Sequence, residues 1–130
     1  MRLLVTGGAG FIGSHFVRYW LQQHPVDEVV TLDALTYAGV RATVEELASE
    51  RRHQFIHGNI CDPAVVIAAM DGCHAVVHFA AETHVDRSIT DATPFLRTNV
   101  EGTHVLLQRA SKGGVQRFVQ VSSDEVYGPI

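Results

Sequence analysis

The short apolar run Leu3-Leu4-Val5 is followed by Thr6-Gly7-Gly8-Ala9-Gly10-Phe11-Ile12-Gly13, the most informative stretch of the sequence. It contains G-x-G-x-x-G ending at Gly13 and also G-x-x-G-x-x-G beginning at Gly7. A glycine turn between a buried strand and a helix lets a dinucleotide pyrophosphate approach the backbone and meet free N–H groups at the helix N-terminus. Glycine-rich turns are common, so it is the strand–turn–helix context that predicts a dinucleotide site here.

A carboxylate follows the second predicted strand. Asp33 lies twenty residues after Gly13, where a carboxylate in this kind of fold accepts hydrogen bonds from the adenosine ribose and repels a 2′-phosphate. Position 34 is Ala34 rather than arginine, which favours NAD over NADP. A turn or N-cap aspartate is the alternative, but motif, context and spacing together favour the cofactor.

The rest of the chain alternates apolar, β-rich runs with helical stretches. Asp62-Pro63 and Thr93-Pro94 each predict an N-cap followed by proline at the first helical position, and Gly113-Gly114 ends the last helix. This order predicts one α/β domain over residues 1–130, a Rossmann-type doubly wound parallel sheet with five strands in the order 3-2-1-4-5 and helices on both faces. Such a sheet has six strands, so we expect the domain to be incomplete. The predicted strands lie at residues 3–5, 29–32, 55–56, 75–79 and 118–121.

Composition excludes several classes of protein. Hydrophobic residues make up 46% and charged residues 18%, which rules out a disordered chain and a coiled coil. Ten basic against fourteen acidic residues give a net charge of -4, so we expect no nucleic-acid partner. The sequence shows no signal peptide and no apolar run of the ~18 residues that a membrane span needs. Cys61 and Cys73 match no metal or redox spacing, and we expect a cytoplasmic protein without a metal site.

Longer strings carry a more specific resemblance, and they span nearly the whole chain. They are residues 6–13, 33–39 (Asp-Ala-Leu-Thr-Tyr-Ala-Gly), 80–89 (Ala-Ala-Glu-Thr-His-Val-Asp-Arg-Ser-Ile), 98–99 (Thr-Asn) and 121–128 (Val-Ser-Ser-Asp-Glu-Val-Tyr-Gly). On these strings the sequence resembles the extended short-chain dehydrogenase/reductase superfamily, and within it the dTDP-glucose 4,6-dehydratase family. The glycine motif is common to the superfamily, whereas the Leu-Thr-Tyr-Ala-Gly, His-Val-Asp-Arg-Ser and Asp-Glu-Val-Tyr-Gly strings are specific to sugar-nucleotide dehydratases.

The resemblance implies NAD as cofactor and a nucleotide sugar, dTDP-glucose, as substrate. Thr83 and Ser123 would contact the sugar. The family usually has Asp-Ile near the adenine where this chain has Asn59-Ile60, and an amide oxygen can still accept a hydrogen bond from the adenine amine. The implied cofactor-binding residues are Gly7, Gly10, Phe11, Ile12 and Gly13 at the pyrophosphate, Asp33, Ala34, Leu35 and Thr36 at the adenosine ribose, and Asn59, Ile60, Ala80, Ala81, Glu82 and Thr98.

The chemistry that the resemblance implies has three steps: oxidation at the sugar C4 by NAD, loss of water across C5–C6, and return of the hydride to C6. The C4 ketone acidifies the C5 proton, which Glu125 would remove as base while Asp124 protonates the leaving hydroxyl. One of the two must hold a proton, which burial beside a second carboxylate favours. From residue type alone the pair is more easily a solvated turn, and the surrounding string favours the catalytic role. Ser123 keeps the hydroxyl of the family's usual threonine but lacks the methyl group that restricts its rotamer.

A tyrosine followed four residues later by lysine, the superfamily's catalytic base pair, is missing from the sequence. Lys112 is the only lysine, and Gln108 stands four positions before it. Family members carry the pair further along with a nucleotide-binding C-terminal domain. We therefore expect this chain to be an N-terminal portion that is inactive alone and homodimeric when complete.

Other interpretations remain open at this point. His78 and His84 could serve as general bases, although their predicted places in a strand and a loop favour structural roles. The alternatives to a dehydratase are another sugar-nucleotide enzyme of the same type, such as a UDP-sugar 4-epimerase or decarboxylase, and a non-catalytic NAD-binding module.

Overall fold

Strands and helices alternate along the chain, as the sequence predicts. The computed structural model describes residues 1–36, 41–82 and 85–129. The strands are β1 (Arg2–Thr6), β2 (Glu28–Asp33), β3 (His53–His57), β4 (Ala75–His78) and β5 (Arg117–Gln120). The α-helices are α1 (Phe11–Gln23), α2 (Arg41–Glu46), α3 (Pro63–Met70), α4 (Val85–Thr90), α5 (Thr93–Phe95) and α6 (Thr103–Lys112). A π-helix (Leu96–Gly102) joins α5 to α6, and a 3₁₀ helix (Asp124–Val126) follows β5.

The five strands form one parallel sheet in the order β3-β2-β1-β4-β5, which confirms the predicted fold class and strand order. β1 lies at the centre, where Leu4 is paired with Val30 on one side and Val76 on the other. The chain leaves β1 towards β2 and later returns on the opposite side as β4. Such a reversal opens a crevice at the carboxyl ends of the strands, which is where ligands bind in sheets of this kind.

Two apolar clusters cover the two faces of the sheet. Successive residues of a strand point to opposite faces, so Leu4 belongs to one cluster while Leu3 and Val5 belong to the other. The first cluster includes residues of α3 and α6, such as Val66 and Leu106. The second includes Val17 and Leu21 of α1. Burial on both faces explains why the central strands consist of continuous apolar runs.

The predicted start of α3 is confirmed. The Asp62 carboxylate accepts a hydrogen bond from the Ala64 N–H at 3.0 Å, and Pro63 occupies the first helical position. Proline fits there because its missing N–H has no partner in the first turn of a helix.

The prediction of one regular helix opened by Thr93 as N-cap is wrong. Ala92 is the N-cap, and the Asp91 carboxylate accepts a hydrogen bond from the Thr93 N–H at 3.0 Å. The segment then runs through a π-helix, where the Thr103 hydroxyl donates to the Asn99 carbonyl at 2.9 Å. Such a side-chain contact bends helices, and π turns are frequent at functional sites.

The apolar side predicted for this segment is divided between core and surface. Leu106 is fully buried against the sheet, whereas Leu96 and Val100 are more than 60% exposed.

α4 lies in a stretch for which the sequence pattern predicted no helix. Among the described residues, no helix combines the length and apolarity that crossing a bilayer requires.

Candidate active site

The glycine loop joins β1 to α1 at the carboxyl edge of the sheet. Gly7 has φ +70°, which side chains rarely adopt, and a Cβ there would lie 2.8 Å from the backbone nitrogen of Ala80. A Cβ on Gly13 would collide with the carbonyl oxygen of Gly7. The first glycine therefore permits the turn beside the chain that leaves β4, and the second permits close packing of α1 on the loop.

The N-terminus of α1 fits an anionic group. Its N-cap is Gly10, which has no side chain to occupy the N–H groups of the first turn. These N–H groups and the helix dipole together favour a bound phosphate. The side chains of Phe11 and Ile12 are 80% and 64% exposed, so this end of the helix lies open at the surface. A pyrophosphate could approach the backbone here.

The Asp33 carboxylate lies at the end of β2, beside the glycine loop, and is only 8% exposed. Oδ2 accepts a hydrogen bond from the Ala9 N–H at 2.9 Å, and Oδ1 accepts one from the Leu35 N–H at 2.8 Å. A carboxylate oxygen can accept two hydrogen bonds, so each retains an acceptor position for a ribose hydroxyl. The contact with Ala9 places these acceptors next to the predicted pyrophosphate position.

The backbone after Asp33 follows a strained path. Leu35 has φ +53°, in the left-handed region, which costs a residue with a Cβ roughly 1–2 kcal/mol. Two hydrogen bonds hold this turn, one from the Leu35 N–H to Asp33 and one of 3.0 Å between the His57 Nε2–H and the Ala34 carbonyl. Thr36 follows as an exposed residue. These two bonds stabilise the turn at Ala34 and Leu35, where the loop predicted to surround the adenosine ribose begins.

The Asn59-Ile60 pair takes two different environments. The Asn59 side-chain oxygen accepts a hydrogen bond from the Cys61 N–H at 2.9 Å, which occupies one of the acceptor positions considered for the adenine amine. Ile60 is 4% exposed and packs against Gly102, where a Cβ would have no room. Asn59 is thus the exposed member of the pair.

Segment 80–82 leaves β4 at the same edge and is held by Asn99 of the π-helix. The Asn99 Oδ1 accepts a hydrogen bond from the Glu82 N–H at 2.9 Å, and its Nδ2 donates to the Glu82 carbonyl at 3.2 Å. Thr98, the neighbouring predicted contact, is half-buried. Thr83 and His84 lie outside the described residues. The sequence indicates no role for Asn99, because its two bonds to Glu82 join residues 17 positions apart.

A buried histidine lies below this edge. His78 is 1% exposed, its Nδ1 is 2.6 Å from the Thr6 hydroxyl oxygen, and its Nε2 is 2.9 Å from that of Thr103. Burial lowers the pKa of His78 to about 4, so the ring is neutral at pH 7. A side chain enclosed in this way is suited to holding strands and helices together rather than to proton transfer with a substrate.

We expect the protein to lose stability as the pH falls from 6.5 to 4. An unfolded histidine binds a proton near pH 6.5, whereas His78 in the fold binds one only near pH 4. The unfolded state holds more protons in this window, which lowers the free energy of unfolding by about 3 kcal/mol across it. In His78→Gln this component should vanish, because glutamine does not titrate. Urea unfolding at pH 7.5 and pH 4.5 measures the free energy of unfolding of both proteins. If the difference between the wild type and His78→Gln is the same at both pH values, the prediction is contradicted.

The predicted catalytic residues follow β5. The Ser123 hydroxyl oxygen accepts a hydrogen bond from the Glu125 N–H at 3.3 Å and thereby caps the 3₁₀ helix. Asp124 and Glu125 are both exposed, so the described part of the chain does not supply the burial expected around them. The parallel ladder continues past β5 with the Val121 N–H donating to the His78 carbonyl at 3.1 Å. Segments 80–82 and 122–125 therefore leave the sheet side by side.

Metal and thiol chemistry find no support in the described ranges 1–36, 41–82 and 85–129. No group of three or more His, Cys, Asp or Glu side chains there could hold a metal ion. Cys61 and Cys73 are free thiols. Burial raises the pKa of the Cys73 thiol, which makes it a poor nucleophile.

Known proteins resemble this chain over its full length. A low-salt glycan biosynthesis protein from Haloferax volcanii is 52% identical over 130 residues, which cover 100% of this chain and 42% of that protein. A dTDP-glucose 4,6-dehydratase from Streptomyces niveus is 52% identical over 134 residues, covering 100% of this chain and 40% of its own length. The chain thus spans about two fifths of the length of these relatives.

Solved structures agree with the sequence comparison. A dTDP-glucose 4,6-dehydratase from Streptomyces venezuelae, crystallised with NAD bound, superimposes with a TM-score of 0.94 at 54% identity, covering 100% of this chain and 42% of that one. The model of the NAD dependent epimerase/dehydratase family matches residues 3–130. With the match extending over nearly every residue, and with the glycine loop and Asp33 in place, the chain belongs to the NAD dependent epimerase/dehydratase family.

Proposed function

We propose that the full-length protein is an NAD-dependent dehydratase that converts dTDP-glucose into dTDP-4-keto-6-deoxyglucose. The observation that carries this proposal is the position of Asp124 and Glu125 in the segment that follows β5, the strand paired with β4 from which segment 80–82 departs. This position would supply an acid and a base at the edge where the glycine loop also opens. The similarity to named dTDP-glucose 4,6-dehydratases at 52–54% identity supports the same reaction.

The described residues fit NAD. The open N-terminus of α1 would hold the pyrophosphate, and the free acceptor positions of Asp33 would bind the adenosine ribose. Segment 80–82 would border the other half of the dinucleotide, because it lies on the opposite side of β1 from Asp33. When bound, the cofactor supplies the two-electron oxidation at C4 and the reduction at C6.

The side chains after β5 supply the proton transfers. Once C4 is a ketone, Glu125 removes the acidified C5 proton and Asp124 protonates the C6 hydroxyl, which leaves as water. Asp124 must hold a proton for this step, and burial of its carboxyl group would favour the protonated form. That burial would have to come from the bound substrate or from parts of the protein other than those described. The Ser123 oxygen already accepts from the Glu125 N–H, and its own proton remains available to the sugar.

One incubation separates this function from its alternatives. The full-length protein is mixed with NAD and dTDP-glucose, or with UDP-glucose in parallel, and the sugar products are identified by NMR. A 4-keto-6-deoxy sugar supports the dehydratase. A 4-epimer supports an epimerase, which does not need the carboxylate pair. NAD binding without any sugar product supports a non-catalytic module.

We also propose a homodimer in the cytoplasm for the complete protein. Leu96, Val100 and Leu107 expose apolar surface along the π-helix and α6, which supports an interface with a second copy. The free thiols of Cys61 and Cys73 fit a reducing compartment.

Replacing Asp33 should change which dinucleotide binds. The Asp33→Ala variant loses the acceptors for the ribose hydroxyls and the charge that repels a 2′-phosphate, so NAD affinity should fall roughly tenfold or more and the preference over NADP should narrow. Isothermal titration with both dinucleotides measures this. Equal affinity for NAD and NADP before mutation would contradict the assignment.

Asp27 supplies the matched control for that experiment. It is also 8% exposed, but it precedes β2 at the opposite edge of the sheet, where it binds the Met1 ammonium group and the Trp20 ring N–H at 3.0 Å each. The Asp27→Asn variant should therefore lower stability while leaving the preference for NAD over NADP unchanged.

A further inference from the structure

A line of hydrogen bonds runs beneath the crevice from the chain after β4 to the π-helix. The Ala80 N–H donates to the Thr6 hydroxyl oxygen at 3.2 Å, and Thr6 contacts one ring nitrogen of His78. The other ring nitrogen contacts Thr103, whose hydroxyl reaches the Asn99 carbonyl at 2.9 Å. The line crosses β1 and β4 at the centre of the sheet.

The direction of every bond in this line is determined. A carbonyl can only accept, so the Thr103 hydroxyl donates to Asn99 and its oxygen accepts from the Nε2–H of His78. The neutral ring then has an unprotonated Nδ1, which accepts from the Thr6 hydroxyl. Thr6 is 0% exposed, so bulk water does not compete with the histidine for its hydroxyl.

Both ends of the line of hydrogen bonds reach segment 80–82. One end is the Ala80 N–H itself. At the other end, Asn99 binds the N–H and the carbonyl of Glu82 through its side chain. Hydrogen bonds thus connect His78 to segment 80–82 from both sides, at the place where the backbone of Ala80 approaches Gly7 closely.

We propose that His78 is a positioning residue for the cofactor, which holds segment 80–82 at the distance from the glycine loop that the second half of the dinucleotide requires. The strand order β2-β1-β4 indicates which half of the dinucleotide each segment would contact. Asp33 ends β2 and would bind the adenosine half, whereas segment 80–82 follows β4 on the other side of β1 and would border the second half. The proposal rests on NAD as the ligand in the proposed function, and it does not depend on the reaction at the sugar.

The experiment compares NAD with AMP, which reaches only the adenosine side. Both variants are made in the full-length protein. Thr103→Val removes a hydroxyl from the line of hydrogen bonds, and His78→Phe removes both ring nitrogens. We expect each to weaken NAD binding roughly tenfold, while the Kd for AMP changes by less than about twofold. His78→Gln keeps one acceptor and one donor and should restore NAD affinity to within about threefold of the wild type. Isothermal titration gives both dissociation constants for each variant.

His53 provides the control, because its Nε2 also binds a threonine hydroxyl, that of Thr31, at 2.8 Å but leads to no segment after β4. His53→Phe should lower thermal stability and leave the ratio of the NAD and AMP dissociation constants unchanged. Equal weakening of both ligands, or unchanged binding of both, in Thr103→Val would overturn the proposal and leave His78 a purely structural residue. If His78→Phe does not fold, Thr103→Val alone tests whether these hydrogen bonds support NAD binding. Failure of the dehydratase assignment appears separately, as the absence of a 4-keto-6-deoxy product, and leaves this comparison intact.

Discussion

Full-length protein carrying Asp124→Asn or Glu125→Gln should form the 4-keto-6-deoxy product roughly 10²–10⁴-fold more slowly than the wild type. Each amide keeps the shape of the carboxyl group but can no longer transfer the proton that elimination requires. Oxidation at C4 depends instead on the cofactor site, so these variants should still generate some NADH when given dTDP-glucose. Stopped-flow absorbance of NADH, run beside a product assay, separates the two steps.

The control for this pair is Glu28→Gln. Glu28 is an exposed carboxylate at the amino end of β2, paired with Arg2 at 3.1 Å and on the opposite edge of the sheet from the site. Its loss should leave both steps unchanged. If Asp124→Asn and Glu125→Gln also make product at the wild-type rate, the pair is structural and the dehydratase assignment fails. An epimerase would show no separation between NADH formation and product release.

Residues 1–130 alone should bind NAD yet give no product from dTDP-glucose. The glycine loop and Asp33 lie within these residues, but no tyrosine in them is followed by lysine at the fourth position. Fusion of residues 1–130 to the remaining C-terminal part of the Streptomyces niveus relative, 52% identical over the shared part, should produce turnover. NMR of the sugar products compares the two proteins.

Two further samples make this fusion experiment decisive. The same fusion with Glu125→Gln should again be slow, which ties its activity to this chain rather than to the added part. Product from residues 1–130 alone would show that oxidation does not need a tyrosine and lysine pair, and would contradict the proposed division of labour.

The fold could be predicted because its signals are local. Strands buried on both faces appear as short continuous apolar runs, and Asp62-Pro63 marks a helix start by a bond between near neighbours. The π-helix could not be predicted, because it accompanies a hydrogen bond from the Thr103 hydroxyl to Asn99. A threonine in a helix can equally turn its hydroxyl elsewhere, so sequence does not reveal that contact.

The site divides in the same way. The glycine loop and Asp33 can be predicted as neighbours from spacing, since the motif and the strand end are both visible along the chain, and the Ala9 N–H does bind Asp33. The contacts of His78 join residues 72 and 25 positions apart, and such pairs have no signature in a single sequence. The hydrogen bond from the Cys61 N–H to the Asn59 side-chain oxygen joins near neighbours, yet it depends on the turn that the backbone adopts there, which the sequence does not specify.

The central position of β1 also determines when the crevice can form during synthesis. β1 is translated before the other four strands and can pair with β2 after 26 further residues, but its second partner begins with Ala75, opposite Leu3. Thr103 emerges later still. Contacts between distant parts of a chain form slowly, and an unpaired apolar strand is prone to association meanwhile. Until the residues of β4 and Thr103 have been translated, one side of β1 therefore lacks its partner, and the crevice beside it cannot yet be complete.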